Sequence, residues 1–161
     1  MSPRNVLVLG NSHTAAPRIA LRDNPGRWPG FAPDVFAMPG HTIAELDLRD
    51  RVFHPANDDV RKKMVYYNGV PDLPVAAYDA FVVLGCLSFS SLPALQETHR
   101  SGDFPSVARG GDCTLISTGF ADALVAQRIE RSPALRLIRA LAGLGQGLSL
   151  IHISEPTRQE A

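Results

Sequence analysis

The 161 residues predict a single doubly wound α/β domain, with its ligand site along the carboxyl edge of a parallel sheet. Three observations predict it. Asn5 to Leu9 is a β-branched and leucine run closed by Gly10, and it leads through Ser12 into the alanine-rich start of a helix. Pro33 to Met38 repeats the strand character soon afterwards and ends in Pro39-Gly40-His41-Thr42. Tyr78 to Gly85 is an almost unbroken apolar run, which suits a central parallel strand covered on both faces. Such alternation implies right-handed crossovers, and these bring Ser12, Gly40 and Gly85 to one sheet edge.

The first helix takes Thr14 as a cap, Pro17 in its first turn where no intrahelical N–H bond is lost, and Ile19, Ala20 and Leu21 on its apolar side. It fades at Asp23-Asn24-Pro25-Gly26, and Trp28 and Phe31 follow as cover for the core edge. Residues 43–68 are the least legible. Glu45, Asp47, Arg49, Asp50 and Arg51 alternate in sign as a solvated face does, in a region with room for a short helix. Met64 to Tyr67 reads as an edge strand turned by Asn68-Gly69. Leu92 to Thr98 reads as a helix, and Cys113 to Gly119 as a fourth strand ending at the same edge. Phe120 to Leu141 carries two helical segments, with Ser132 capping the second and Pro133 in its first turn. Leu148 to Ile153 alternates like a fifth strand.

Composition narrows the function classes. Sixteen basic and sixteen acidic residues cancel, so no long-range field recruits nucleic acid or an anionic membrane. No apolar run is long enough to span a bilayer, and Met1 to Arg4 passes straight into the first strand, which leaves no room for a leader. The expected location is cytoplasmic, the expected partner a small molecule. Cys86 and Cys113 show neither a C-x-x-C spacing nor a histidine pairing, so buried free thiols are expected, with no metal and no cofactor.

A serine at a strand-to-helix corner lies where a helix N-terminus favours developing negative charge, which suits a nucleophile that makes an oxyanion. It also suits a plain helix cap. Gly10-Asn11-Ser12-His13 resembles the Gly-Asp-Ser motif of the SGNH or GDSL hydrolases, with Asn11 in the aspartate position. The resemblance covers residues 5–125. It implies a flavodoxin-like three-layer α/β/α fold and a serine esterase or acyltransferase acting on an O-acyl ester, with carbohydrate esters one candidate substrate. Ser12 is then the nucleophile, and the backbone N–H groups of Ser12 and Gly40 hold the oxyanion. Gly40 equally suits an ordinary turn, and His41 shares its loop as a possible substrate contact or a polar surface residue. Gly85-Cys86-Leu87-Ser88 stands at the family's third motif, Gly-x-Asn-Asp; the glycine is present and the asparagine is not. Ser88 or Ser90 is the candidate substitute donor.

A neutral serine needs a base. The family carries it in an Asp-x-x-His near the C-terminus, and no Asp-x-x-His occurs among His13, His41, His54, His99 and His152. His13 adjoins Ser12, but chain neighbours seldom face each other at a helix start. Ser149 to Arg158 closely resembles a translated sequencing-adapter peptide. That likeness implies a domain over residues 1–147 and a non-native tail over 148–161, so the base-bearing segment is missing and the fragment is expected to be inactive. Two alternatives stay open: a non-catalytic domain that binds a small molecule or glycan on the same fold, with genuinely no base, and a nucleotide or phosphate binder at the same strand-to-helix turn, against which stand the lack of a Gly-x-Gly-x-x-Gly and of a Walker lysine after Gly10.

Overall fold

The computed structural model describes residues 2–86, 98–101, 113–145 and 147–151. Its main sheet is parallel throughout and built from β1 (Arg4–Gly10), β2 (Phe31–Ala37), β6 (Ala80–Leu84) and β9 (Gly147–Ile151), in the spatial order β2-β1-β6-β9. Between β2 and β6 lies a small antiparallel sheet of β3 (Leu46–Arg49), β4 (Val52–Pro55) and β5 (Leu73–Pro74). The helices are α1 (Ala15–Asp23), α2 (Asp58–Asn68), α3 (Thr118–Glu130) and α4 (Pro133–Ala142). The molecule is therefore an α/β protein with a parallel sheet.

Alternation along the strands decides where the core sits. Leu7 and Leu9 point to one face of the sheet, in register with Phe81 and Val83 of β6, and all four are buried. Val60 and Met64 of α2 and Leu137 and Leu141 of α4 close over that face as part of the same cluster. The opposite face carries Val6, Val8, Pro33 and Val82, none of them fully buried. There α1 leaves an apolar cavity of about 550 Å3 between its Leu21, the loop residue Trp28 and the sheet. Among the described residues, then, the β6 run is sealed on one face only. The apolar side assigned to α1 is correspondingly open, and Ile19 is 49% exposed.

Other expectations are corrected. Residues 64–67 are helical, inside α2, despite their β-forming side chains. Asn57 accepts a hydrogen bond from the Val60 N–H, Asp58 and Asp59 occupy the first turn, and Gly69 ends the helix at φ 75°. These end signals, together with burial of Val60 and Met64 four residues apart, override strand propensity. The alternating charges from Glu45 to Arg51 belong to no extended helix. A 3-10 turn at Thr42–Glu45 leads into the β3–β4 hairpin, whose two-residue turn Asp50-Arg51 takes positive φ at both positions. The strand expected over Cys113 to Gly119 is shorter and stands elsewhere. Only β8 (Thr114–Ile116) forms, paired in parallel with β7 (His99–Ser101) in a separate two-stranded sheet, and Thr118 already opens α3. Residues 92–97 of the expected helix lie outside the described residues.

The Ser132-Pro133 prediction holds. Ser132 Oγ accepts from the Leu135 N–H at 3.3 Å and donates to the Ile129 carbonyl at 2.7 Å, stopping α3 and starting α4 in one residue. Residues 147–151 take the strand character read from their alternation, in register with β6 from Ala80 to Leu84. No helix among the described residues is long and apolar enough to cross a membrane.

Candidate functional site

In chain order the main-sheet strands run second, first, third, fourth across the sheet. The crossover from β1 to β2 therefore steps one way across the sheet, and the crossover from β2 to β6 returns past β1 to its other side. The order reverses between β1 and β6, and in open parallel sheets the crevice outside the carboxyl ends at such a reversal is where ligands bind. Gly10, Asn11 and Ser12 leave β1 there, and Gly85 and Cys86 leave β6.

Two glycines let the strand ends come together. A Cβ on Gly10 would overlap the carbonyl oxygen of Leu84 and stand 2.6 Å from the Thr14 methyl. Gly85 is buried at φ 69°, and a Cβ on it would lie 2.7 Å from Asn11 Oδ1 and 2.8 Å from His13 Nδ1. These residues hold a fixed turn. Asn11 Oδ1 accepts the His13 N–H at 3.2 Å and lies 2.6 Å from His13 Nδ1, while buried Thr14 donates its hydroxyl to the Asn11 carbonyl at 2.7 Å. Thr14 thus stands at the cap position of α1 but its side chain turns back to Asn11; the side-chain cap of this corner is Asn11, on the 3-10 turn Ser12–Thr14.

Ser12 is the first residue of that turn, exposed, and among the described residues its hydroxyl has no hydrogen-bond partner. Its N–H belongs to the donors that a helical turn leaves unsatisfied at its start. The cap role open to it in the sequence falls to Asn11 instead. Gly40 follows β2 with φ 52° and open space where a Cβ would stand, and His41 precedes the turn Thr42–Glu45; both are exposed, and neither is hydrogen-bonded to Ser12. Ser88 lies outside the described residues. The structure therefore brings Asn11, Ser12 and Gly85 together, adds His13, and leaves Gly40 and His41 on the neighbouring loop.

Cys86 was legible only as a buried thiol. It has a positive φ of 64°, an unusual conformation for a residue with a side chain, and is 3% exposed. Burial pushes its thiol up to about 11, against the opposing pull of a hydrogen bond from the Asn11 backbone. At neutral pH it is a protonated packing group of the buried core at the end of β6. Cys113 is free and half-buried.

The remaining histidines fall elsewhere. His54 Nδ1 is 2.9 Å from Asp72 Oδ1, with Arg61 3.8 Å from the same carboxylate, in the antiparallel sheet. His99 is bonded to Thr98 at 2.8 Å. His152 lies outside the described residues. The His54–Asp72 pairing had no sequence signal, because its partners are eighteen residues apart and meet only through the β4–β5 pairing. No cluster of three or more histidine, cysteine, aspartate or glutamate side chains that could hold a metal occurs among the described residues. Comparison with protein-family models, with curated proteins and with solved structures returned no match.

Proposed function

We propose that the chain is a serine esterase or acyltransferase of the SGNH type, acting on an O-acyl ester bound in the crevice between the ends of β1 and β6. One observation carries this reading: an exposed serine hydroxyl, without a hydrogen-bond partner among the described residues, starts a helical turn at the carboxyl edge of a parallel sheet, at the point where the strand order reverses. The strand sequence 2-1-3-4 supports a flavodoxin-like arrangement. In this reading Ser12 Oγ attacks the acyl carbon, and the N–H groups of Ser12 and Gly40 receive the developing oxyanion. Asn11 and Gly85 shape the pocket wall, and the substrate class is a small ester such as an O-acylated carbohydrate.

Hydrolysis of p-nitrophenyl acetate and of an O-acetylated oligosaccharide by the wild-type chain and by Ser12→Ala tests it. Any turnover, low in a chain without the family's base-bearing segment, is expected to fall to the uncatalysed rate in Ser12→Ala. Turnover that survives the substitution refutes the serine mechanism. Saturable binding of the oligosaccharide without turnover, unchanged by Ser12→Ala, would make the crevice a recognition site.

A further inference from the structure

We infer that Arg18 and Asn68 form a clasp that closes the outer edge of β2 against strand pairing with a second copy of the chain. The strand order places β2 outside β1, at one end of the main sheet, and a bare strand edge is a template on which another chain can pair. Met38 N–H donates to the Gly10 carbonyl at 2.9 Å, so the even-numbered residues of β2 turn their backbone groups toward β1, while Phe31, Pro33, Val35 and Ala37 turn theirs outward. Each outward position is blocked. Phe31 N–H donates to the Trp28 carbonyl at 3.0 Å, and Pro33 has no N–H to give. The Val35 carbonyl accepts from Arg18 Nη2 at 2.9 Å, and Asn68 takes both the N–H and the carbonyl of Ala37 at 2.8 Å.

The two side chains reach this edge from opposite faces of the sheet, Arg18 from α1 and Asn68 from the last position of α2. They meet there: Arg18 Nη2 donates to Asn68 Oδ1 at 3.0 Å, and Nη1 donates to the Tyr67 carbonyl at 3.1 Å. Hydrogen-bond polarity fixes the amide. Ala37 N–H and the guanidinium can only donate, so the atom facing both is the oxygen, and Nδ2 is left to face the Ala37 carbonyl. The guanidinium also lies among the last carbonyls of α2, where the helix dipole favours a cation, and Gly69 at φ 75° stops the helix so that Asn68 stays at the strand.

The Val35 N–H is the one outward donor of β2 without a partner among the described residues. Alone it cannot hold a strand. With the clasp removed, the freed groups match those of a second β2 running antiparallel about a two-fold axis at Val35. There the N–H and carbonyl of each Val35 bond to the other, and each Ala37 N–H meets the Pro33 carbonyl of the second copy. The clasp therefore acts as a closure of the sheet, separate from the serine crevice at its carboxyl edge.

Amide hydrogen exchange and light scattering test this. In the wild-type chain the Ala37 amide should exchange about tenfold more slowly than the Val35 amide, although both point outward; equal rates overturn the clasp. In the Arg18→Ala/Asn68→Ala double variant Ala37 should lose that protection, and the mass measured by light scattering should rise with concentration toward twice the wild-type value. Adding Val35→Pro, which removes the central donor of the pairing, should return the mass to that of the wild-type chain. Asn57→Ala removes the cap of α2 without touching the edge, so it should leave the mass unchanged and separates edge pairing from general destabilisation. Asn68→Ala alone frees both Ala37 groups and should associate in the same way at higher concentration, which answers the question if the double variant fails to fold. Opened variants that exchange fast at Ala37 yet keep the wild-type mass overturn the proposal, as does association that survives Val35→Pro.

Discussion

Replacing Gly85 with alanine should damage the protein through two separable effects. The first is conformational: at φ 69° an L-residue costs about 1–2 kcal/mol relative to glycine. The second is steric. The new methyl would stand 2.7 Å from Asn11 Oδ1 and 2.8 Å from His13 Nδ1, closer than any real contact, so both side chains must swing away. They can do so only by giving up the hydrogen bonds that join them, each worth about 1 kcal/mol. The sum is about 3–4 kcal/mol, a large part of the net stability of a domain. For a chain of this length it corresponds to a fall in Tm of roughly 6–16 °C. Gly69→Ala is the matched control. Gly69 has φ 75° and open space at the Cβ position, so only the conformational cost of about 1–2 kcal/mol applies. Urea and thermal unfolding of the two variants side by side isolate the steric part, and Gly85→Ala should also disturb the His13 ring signals. If Gly85→Ala is no more destabilising than Gly69→Ala, the close approach of β6 to the Asn11–His13 pair is refuted.

Three further outcomes are expected. Asn68 pairs with the outer edge of β2 as a strand would, its Oδ1 accepting the Ala37 N–H and its Nδ2 donating to the Ala37 carbonyl, both at 2.8 Å. Asn68→Ala should cost about 1–3 kcal/mol in urea unfolding and speed hydrogen exchange at Ala37; Asn68→Asp should cost less, since it keeps the acceptor. The Cys86 thiol should stay silent toward a disulfide reagent in the native protein at pH 7 while Cys113 reacts. Because burial raises its folded value from 9.0 to about 11, the unfolded chain loses this proton first as pH climbs. Its contribution is then complete below about pH 9 and shrinks as pH rises toward 11. Cys86→Ala should flatten that decline between pH 9 and 10, below the range where Tyr78, pushed up to about 12 by burial and its bond to Asp34, adds its own.

Sequence alone determined the elements whose signals are local. The β1 run, its glycine and the serine corner, the β2 run, the β6 run and the Ser132-Pro133 junction all follow from side-chain periodicity and from residues that end or begin helices. The same local logic misread residues 64–67, because the tyrosines and valine favour a strand while Asn57, Asp58 and Gly69, several residues away, fix a helix. It also placed β8 in the main sheet. Pairing partners are chosen by long-range packing, and three extended residues say nothing about which strand they will meet.

For the site, sequence identified Asn11, Ser12 and Gly85 as residue types suited to a crevice. Only the tertiary structure decided that β1 and β6 are neighbours at a reversal of strand order, and therefore that Gly85 lies under Asn11. It also decided what His13 is bonded to. The fold supplies what sequence cannot express: a bare glycine surface at the end of a strand seventy residues away, and an amide oxygen turned back to meet the His13 ring.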